Sequence, residues 1–387
     1  TPVEEIVASV IGDVLAVERV GVDDDFFALG GNSLLATRVA SRLGAALDTA
    51  VPVRLLFEVS TVSALAVRIE SEVGRGSRVP LTPQDRPSRV PLSMAQQRMW
   101  FLNRLEPESA VNNIPVAIRL SGLLDRHALH VAVADVLARH ESLRTVYPEI
   151  DGVGYQEVVP TRSVIPDLAP IPLDAEQLPS SIEETVLAGF DVTERTPFRA
   201  CLFEVSSTEH VLVFVAHHIA ADGYSLGPLT RDIVRAYTAR AAGEDLAWDP
   251  LPVQYADYTL WQREVLGSED DPESILGTQK AFWQSTLAGL PEQLDLPFDR
   301  PRPSVATYGG RTHRFDVSSE RRAAVEKLAA DTRTTPFMVV HAAVAVLLAR
   351  LSGTDDIAIG APIAGRGEAA LDDMIGMFVN TLVLRTR

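Results

Sequence analysis

Two histidines in series close an apolar run, Val211-Leu212-Val213-Phe214-Val215-Ala216-His217-His218, and Ile219-Ala220-Ala221-Asp222-Gly223 follows. Imidazole titrates near neutral pH, so a histidine in a cleft can take or give a proton during a reaction. The run reads as a buried strand, on which neighbouring side chains point to opposite faces. The two rings are therefore not set to share one metal ion: one should face the core and the other a cleft. Gly223 lets the chain turn sharply after Asp222. A lone histidine at a strand end is usually structural, but a pair followed by Asp-Gly is a more specific pattern.

A second candidate lies far upstream, in Phe26-Phe27-Ala28-Leu29-Gly30-Gly31-Asn32-Ser33-Leu34. Here a serine stands where a loop becomes a helix. The glycines permit positive φ and close approach. The helix start offers unpaired N–H groups and the positive end of the dipole, a setting suited to a covalently held phosphodiester. The plain alternative is that Ser33 only caps the helix.

The elements around these residues divide the chain. Residues 1–75 read as a small helical bundle. Thr1 and Glu4 suit a capping box with Pro2 at the first helical position. Val3, Ile6, Val7, Val10, Ile11, Val14 and Leu15 form one apolar face. A loop carrying Asp23, Asp24 and Asp25 precedes the second helix, which starts at Ser33, buries Leu35, Val39 and Leu43, and ends at Gly44 as a C-cap. A third helix is expected from about Thr61 to Val73. The stretch from Gly74 to Val90 is rich in Gly, Pro, Ser and Arg with little periodicity and reads as a linker, with residues 76–90 separating two domains.

From Pro91 the pattern is mixed α and β. Strands are expected at Val116 to Leu120, His210 to Ala216 and Ile357 to Ala361. Helices are expected at Asp125 to Glu141, Leu226 to Ala242, from Gln254 onward, at Ser319 to Asp331 and at Pro336 to Leu351. The division into two lobes falls near residue 270.

The chain has 387 residues, 46% of them hydrophobic, enough for large cores. Its formal net charge is −17. No basic stripe for nucleic acid is present, and an acidic surface suits docking to basic patches. No apolar stretch reaches membrane-helix length, and no signal-peptide pattern is present. The single cysteine, Cys201, excludes an internal disulfide, no metal-spaced cluster is seen, and a reducing cytoplasm is the expected compartment. Cys201 lies in the largely apolar run Phe198 to Val205 and reads as a buried small hydrophobe.

The stretch around Ser33 resembles the carrier-protein motif, which implies a 4'-phosphopantetheine arm on Ser33. The His-His-x-x-x-Asp-Gly run resembles the condensation domains of non-ribosomal peptide synthetases and their relative chloramphenicol acetyltransferase. Further resemblances lie in Ser93-Met94-Ala95-Gln96-Gln97-Arg98-Met99-Trp100-Phe101-Leu102, Arg139-His140-Glu141-Ser142-Leu143-Arg144-Thr145, Tyr255-Ala256-Asp257-Tyr258 and Ile375-Gly376-Met377-Phe378-Val379-Asn380-Thr381. They imply a small all-α carrier bundle at 1–75, then a two-lobed α+β domain of the chloramphenicol acetyltransferase type at 91–387. Its N-lobe spans about 91–270, and a partial C-lobe spans about 271–387, the family's last motifs being absent.

The resemblance implies an amide-forming acyltransferase with His218 facing the channel and His217 and Asp222 supporting the loop. Arg144 is expected to pair with a buried Asp222, and Gly223 to offer an N–H near the oxyanion. No metal is implied. The implied partners are donor and acceptor aminoacyl or peptidyl thioesters, an upstream adenylation domain, a downstream carrier and a phosphopantetheinyl transferase. The opening motif resembles the subtype that takes L-configured donors. An epimerization domain shares the histidine motif but fits the opening motif less well, a heterocyclisation domain would carry aspartates, and a decayed docking module would not keep His217, His218, Asp222 and Gly223 together.

Overall fold

The computed structural model describes residues 1–49, 51–71, 79–301, 303–304, 306–307, 309–332 and 334–387, without the side chains of Ser33 and Leu34. Residues 74–78 of the expected linker, and Val73 at the expected end of the third helix, lie outside the described residues. The chain folds as two units, Thr1–Leu266 with Ala364–Asn380, and Gly267–Ile363 with Thr381–Arg387. The segment 364–380, expected in the second lobe, thus folds with the first unit.

The first unit opens with four helices, α1 (Pro2–Leu15), α2 (Ser33–Ala46), α3 (Arg54–Glu58) and α4 (Val62–Glu70). Thr1 and Glu4 close the capping box on α1. Val7, Ile11, Phe26, Val39, Leu43, Leu56, Leu65 and Ile69 form their shared core. Two differences from the sequence reading have local causes. Helix α2 runs through Gly44, because the left-handed residue comes later, at Asp48 with φ 47°. Helix α3, which was not anticipated, is a five-residue turn too short to show an apolar period.

The rest of the unit begins with β1 (Val90–Pro91) and α5 (Met94–Leu105), followed by β2 (Asn113–Ser121) and α6 (Arg126–Arg139). Next come β3 (Thr145–Val146), β4 (Glu149–Ile150), β5 (Val153–Val158), β6 (Ile171–Pro172) and α7 (Leu178–Leu187). Then come β7 (Phe198–Ser206), β8 (Glu209–His217), α8 (Leu226–Ala241) and α9 (Tyr255–Leu266). One sheet has the order β2-β8-β7-β6, and a smaller one the order β1-β5-β3 with β4 beside β5. In the first sheet β2 and β7 run antiparallel to β8, with Asn113 opposite His217 and Phe198 opposite Ala216.

β8 is buried on both faces, which explains its unbroken apolar run. Leu212, Phe214 and Ala216 pack with Leu129, Val133 and Leu137 of α6 and with Leu229 and Ile233 of α8. Val211, Val213 and Val215 face the other way, toward Met99, Tyr147, Tyr255, Met374 and Met377. The two-residue period therefore carries His217 onto this second face.

The described part of the linker lies on the domain. Arg86 bonds the carboxylates of Asp257 at 3.2 Å and Glu141 at 2.7 Å. The Gln84 N–H donates to Asp257 at 3.3 Å, and the Trp261 indole donates to the Val79 carbonyl at 2.8 Å. Val79, Gln84 and Arg86 thus strap the described part of the linker to the domain.

The second unit holds α10 (Ile275–Thr286), α11 (Ser319–Thr332), α12 (Pro336–Ser352) and β9 (Ile357–Ile363), which pairs with β10 (Asn380–Thr386). Arg385 binds Asp356 at 2.7 and 2.5 Å and donates to the carbonyls of Thr286 and Ala288. Among the described residues no single helix is long and apolar enough to cross a membrane.

Candidate active site

His217 is the last residue of β8 and His218 the first of the turn that follows, so the pair is split by the strand end rather than presented on two strand faces. His217 is 1% exposed, with its ring edge-on to Phe190 at 6.2 Å. Its Nδ1 accepts the Ile219 N–H at 3.1 Å. A ring accepting at Nδ1 carries its one proton on Nε2, and a second proton would meet the Ile219 N–H head-on. Burial, aided by the neighbouring His218, pulls His217 down to about 4. His217 is therefore a neutral structural brace of the turn.

His218 is partly exposed, and its backbone N–H donates to the Asn112 carbonyl at 2.8 Å, which ties the turn to the start of β2. Burial pulls its ring below the ordinary imidazole range. The charge of Asp222 and a bond to the Ala221 backbone oppose the shift, and Arg98 adds to it. A neutral imidazole at pH 7 can accept a proton.

Asp222 is fully buried and does not touch Arg144. Its Oδ1 accepts from the Ser225 N–H at 3.0 Å, the Ser225 hydroxyl at 2.8 Å and the Arg366 guanidinium at 3.0 Å, and its Oδ2 accepts the Phe378 N–H at 3.1 Å. The ion pair expected with Arg144 is thus made by Arg366. Arg144 instead donates to the Leu137 carbonyl at 3.0 Å and the Val159 carbonyl at 2.8 Å, satisfying an open carbonyl in the last turn of α6. Arg366 lies over the Phe378 ring at 4.2 Å and also holds the carbonyls of Leu371 and Met374 at 2.6 and 2.7 Å.

Gly223 begins a short 3₁₀ turn, Gly223–Ser225, capped by Asp222. Its backbone is not left-handed, so the turn does not itself require glycine. A Cβ there would meet no atom within 4 Å, so the residue borders open space.

The other motif residues support this turn from below. Ser93 caps α5 and exchanges a bond with Tyr255 Oη at 2.9 Å, and the Tyr255 hydroxyl in turn donates to the Met377 carbonyl. The Gln96 amide reaches Tyr147 Oη at 3.3 Å, and that hydroxyl donates to the Ile219 carbonyl at 3.4 Å. Burial pushes both phenols up, which keeps them as hydroxyl donors. His140 and Arg139 bind Asp232 of α8 at 2.9 and 3.0 Å, fixing the end of α6. Arg366, Ser225, Tyr147 and Tyr255 were not marked as site residues. A serine three positions after Asp222 is a capping-box signal that identifies Ser225. Cys201 is half-buried on β7, and burial raises its thiol pKa, the opposite of an activated nucleophile.

At the carrier end, the Asn32 side chain accepts the Leu35 N–H at 3.0 Å while its carbonyl accepts from Ala36, so Asn32 caps α2. Ser33 is thereby released from the capping role and stands at the first helical position. Asp25 accepts the N–H groups of Phe27 and Ala28 at 2.8 and 2.9 Å and shapes the loop. Gly30 has φ 101°, and a Cβ on Gly31 would lie 2.5 Å from the Phe26 ring, so both positions need glycine. The first turn of α2 carries no acidic residue to repel an attached phosphate. These residues fit a phosphopantetheine on Ser33. Among the described residues no cluster of three or more His, Cys, Asp or Glu could hold a metal ion.

Residues 87–387 match the family described as Condensation domain, and residues 2–69 the family described as Phosphopantetheine attachment site. The chain is 45% identical over its whole length to a dimodular nonribosomal peptide synthase of Bacillus subtilis, spanning 16% of that protein. It is 50% identical over 79% of its length to an isonitrile lipopeptide synthase of Mycobacterium tuberculosis, spanning 12% of it. Its fold is similar to that of the X-domain of teicoplanin biosynthesis solved in complex with OxyB, with a TM-score of 0.74 and 35% identity over 80% of this chain and 68% of that one.

Proposed function

Because the chain belongs to the condensation-domain family of non-ribosomal peptide synthetases, with a phosphopantetheine-attachment domain ahead of it, we propose that it joins a donor carried on Ser33 to the amine of an acceptor thioester. The carrying observation is the partly exposed His218, held on a turn that the Ile219 N–H bond to His217 and the Arg366–Asp222 pair fix in place. When attached, phosphopantetheine supplies a thiol that holds the donor acyl group as a thioester. His218 takes the proton from the amine nitrogen as the C–N bond forms and returns it to the sulfur as the C–S bond breaks. General base catalysis of this kind contributes roughly 10²–10⁴-fold. In this reading the N–H of Gly223, a residue that borders open space, faces the oxygen on which charge develops.

The donor is an L-aminoacyl or peptidyl group, and the acceptor arrives on a downstream carrier. An upstream adenylation domain and a phosphopantetheinyl transferase complete the supply, in the cytoplasm. The test loads Ser33 with matched L and D donors and follows amide formation with a soluble aminoacyl thioester. Faster transfer of the L donor supports the reading, and a clear preference for a D residue overturns that part of it. Turnover with the acceptor on Ser33 and the donor in solution reverses the polarity.

Recruitment of a partner protein is a second reading, favoured by the likeness to a domain solved in complex with OxyB. Amide formation lost on His218→Ala decides for catalysis.

A further inference from the structure

The carrier helix α2 meets the segment 364–380 through a small set of polar contacts. Arg38 binds Asp372 at 3.1 Å and Arg42 binds the other oxygen of the same carboxylate. Between them on the helix, the Ser41 hydroxyl donates to Glu368 at 3.2 Å. Positions 38, 41 and 42 share one helical face. Two of the carrier's six arginines thus converge on one aspartate. This polarity is opposite to the one suggested by the carrier's acidic balance: at this contact the carrier is basic and its partner acidic.

The receiving segment is rigidly held from the inside. Arg366, two residues before Glu368, binds Asp222 at 3.0 Å. The Gly376 N–H donates to Ser225 Oγ at 3.1 Å, and the Ser142 hydroxyl donates to the Ile375 carbonyl at 2.8 Å. The outer side of one short stretch therefore holds the carrier while its inner side holds the histidine turn.

We propose that residues 366–373 form a docking platform that reads the carrier's α2 by charge, through Asp372 against Arg38 and Arg42, and so registers the carrier against the segment that braces Asp222. The proposal rests on the carrier reading of residues 2–69. The geometry offers a direct probe. A Cβ on Gly367 would lie 3.2 Å from Ser41 Cβ, close to the separation a disulfide spans, and Gly367 has no left-handed backbone to forbid it.

The experiment places Ser41→Cys and Gly367→Cys in a Cys201→Ser background of the full chain and follows disulfide formation by peptide mass mapping under mild oxidation. Near-complete cross-linking is expected, slowed tenfold or more by Asp372→Arg and, independently, by Arg38→Glu with Arg42→Glu. Restoration of the rate when both sides are reversed together completes the case. Absence of the cross-link in a chain with normal thermal unfolding, or a rate indifferent to either reversal, overturns the platform. Asp372→Asn, which removes the charge at nearly constant volume, serves where Asp372→Arg does not fold. The cross-link is read without turnover, so failure of amide formation leaves the platform standing. Ser33-borne transfer that persists without the cross-link removes the platform alone.

Discussion

Arg366 and Asp222 stand 144 residues apart in sequence and form a buried ion pair at 3.0 Å, with both side chains at most 5% exposed. The aspartate accepts four hydrogen bonds, two from Ser225 in its own turn and two from Arg366 and Phe378 of the returning segment. Its role is to hold the histidine turn against the returning segment that carries Arg366.

Arg366→Ala should therefore destabilise the protein by about 3–5 kcal/mol, the typical cost of leaving a buried charge without its partner. Arg144→Ala should cost less, about 1–3 kcal/mol, because it leaves two carbonyl acceptors and a part-exposed Glu141 contact at 3.7 Å without a partner, and no fully buried charge. Urea unfolding midpoints of the two variants check the order. An Arg144 variant as damaged as the Arg366 variant would return the ion pair to Arg144.

Acid should weaken the fold in a defined window. His217 takes up its proton near 6.5 when unfolded but only at about 4 when folded. Its contribution is thus fully present above pH 6.5 and is lost as pH falls toward 4. Over that span the unfolded state binds the proton first, and the total effect is about 3 kcal/mol. His140, also drawn down by burial, adds in the same direction. His217→Gln should flatten, without abolishing, the fall in stability between pH 6.5 and 4 measured by urea titration.

Much of this was legible in the sequence, because β8 is buried on both faces and its apolar run could not be mistaken for a surface strand. The cap on α1, the loop before Ser33 and the long helices α6, α8 and α12 carry local signals in their caps and periods. Arg366 carried none. Its partner lies 144 residues away, and nothing about an arginine between two glycines says which of several carboxylates it will reach. The strap on the linker carried no signal either: a composition rich in Pro, Ser and Arg reads only as a linker, and nothing in it says that Arg86 and Gln84 reach the nearly buried carboxylate of Asp257.

That strap gives a further expectation. The Gln84 amide hydrogen, bonded to Asp257, should exchange slowly in the wild type, and Arg86→Ala should speed its exchange several-fold while lowering global stability by about 1–3 kcal/mol, since the nearly buried Asp257 keeps the N–H groups of Gln84 and Gln254 as donors. Rapid exchange at Gln84 in the wild type contradicts the strap.

Gly376 tests the packing under the site. A Cβ there would fall 2.2 Å from Cδ2 of Tyr255, a ring buried at 2% exposure. Gly376→Ala should cost about 1–3 kcal/mol through overpacking and lower amide formation, since Tyr255 and Ser225 both bond this segment. Thermal unfolding reads the first effect and turnover the second.

The central claim is that His218 acts on a donor borne by Ser33, and intact-protein mass spectrometry tests it most directly. After loading with an aminoacyl-phosphopantetheine, the wild-type chain should lose the acyl mass to a soluble aminoacyl-thioester acceptor, with the amide product appearing in step. His218→Ala should load to the same mass and transfer roughly 10²–10⁴-fold more slowly, while Ser33→Ala should gain no mass at all. Unimpaired transfer by His218→Ala, or loading of Ser33→Ala, would contradict the account.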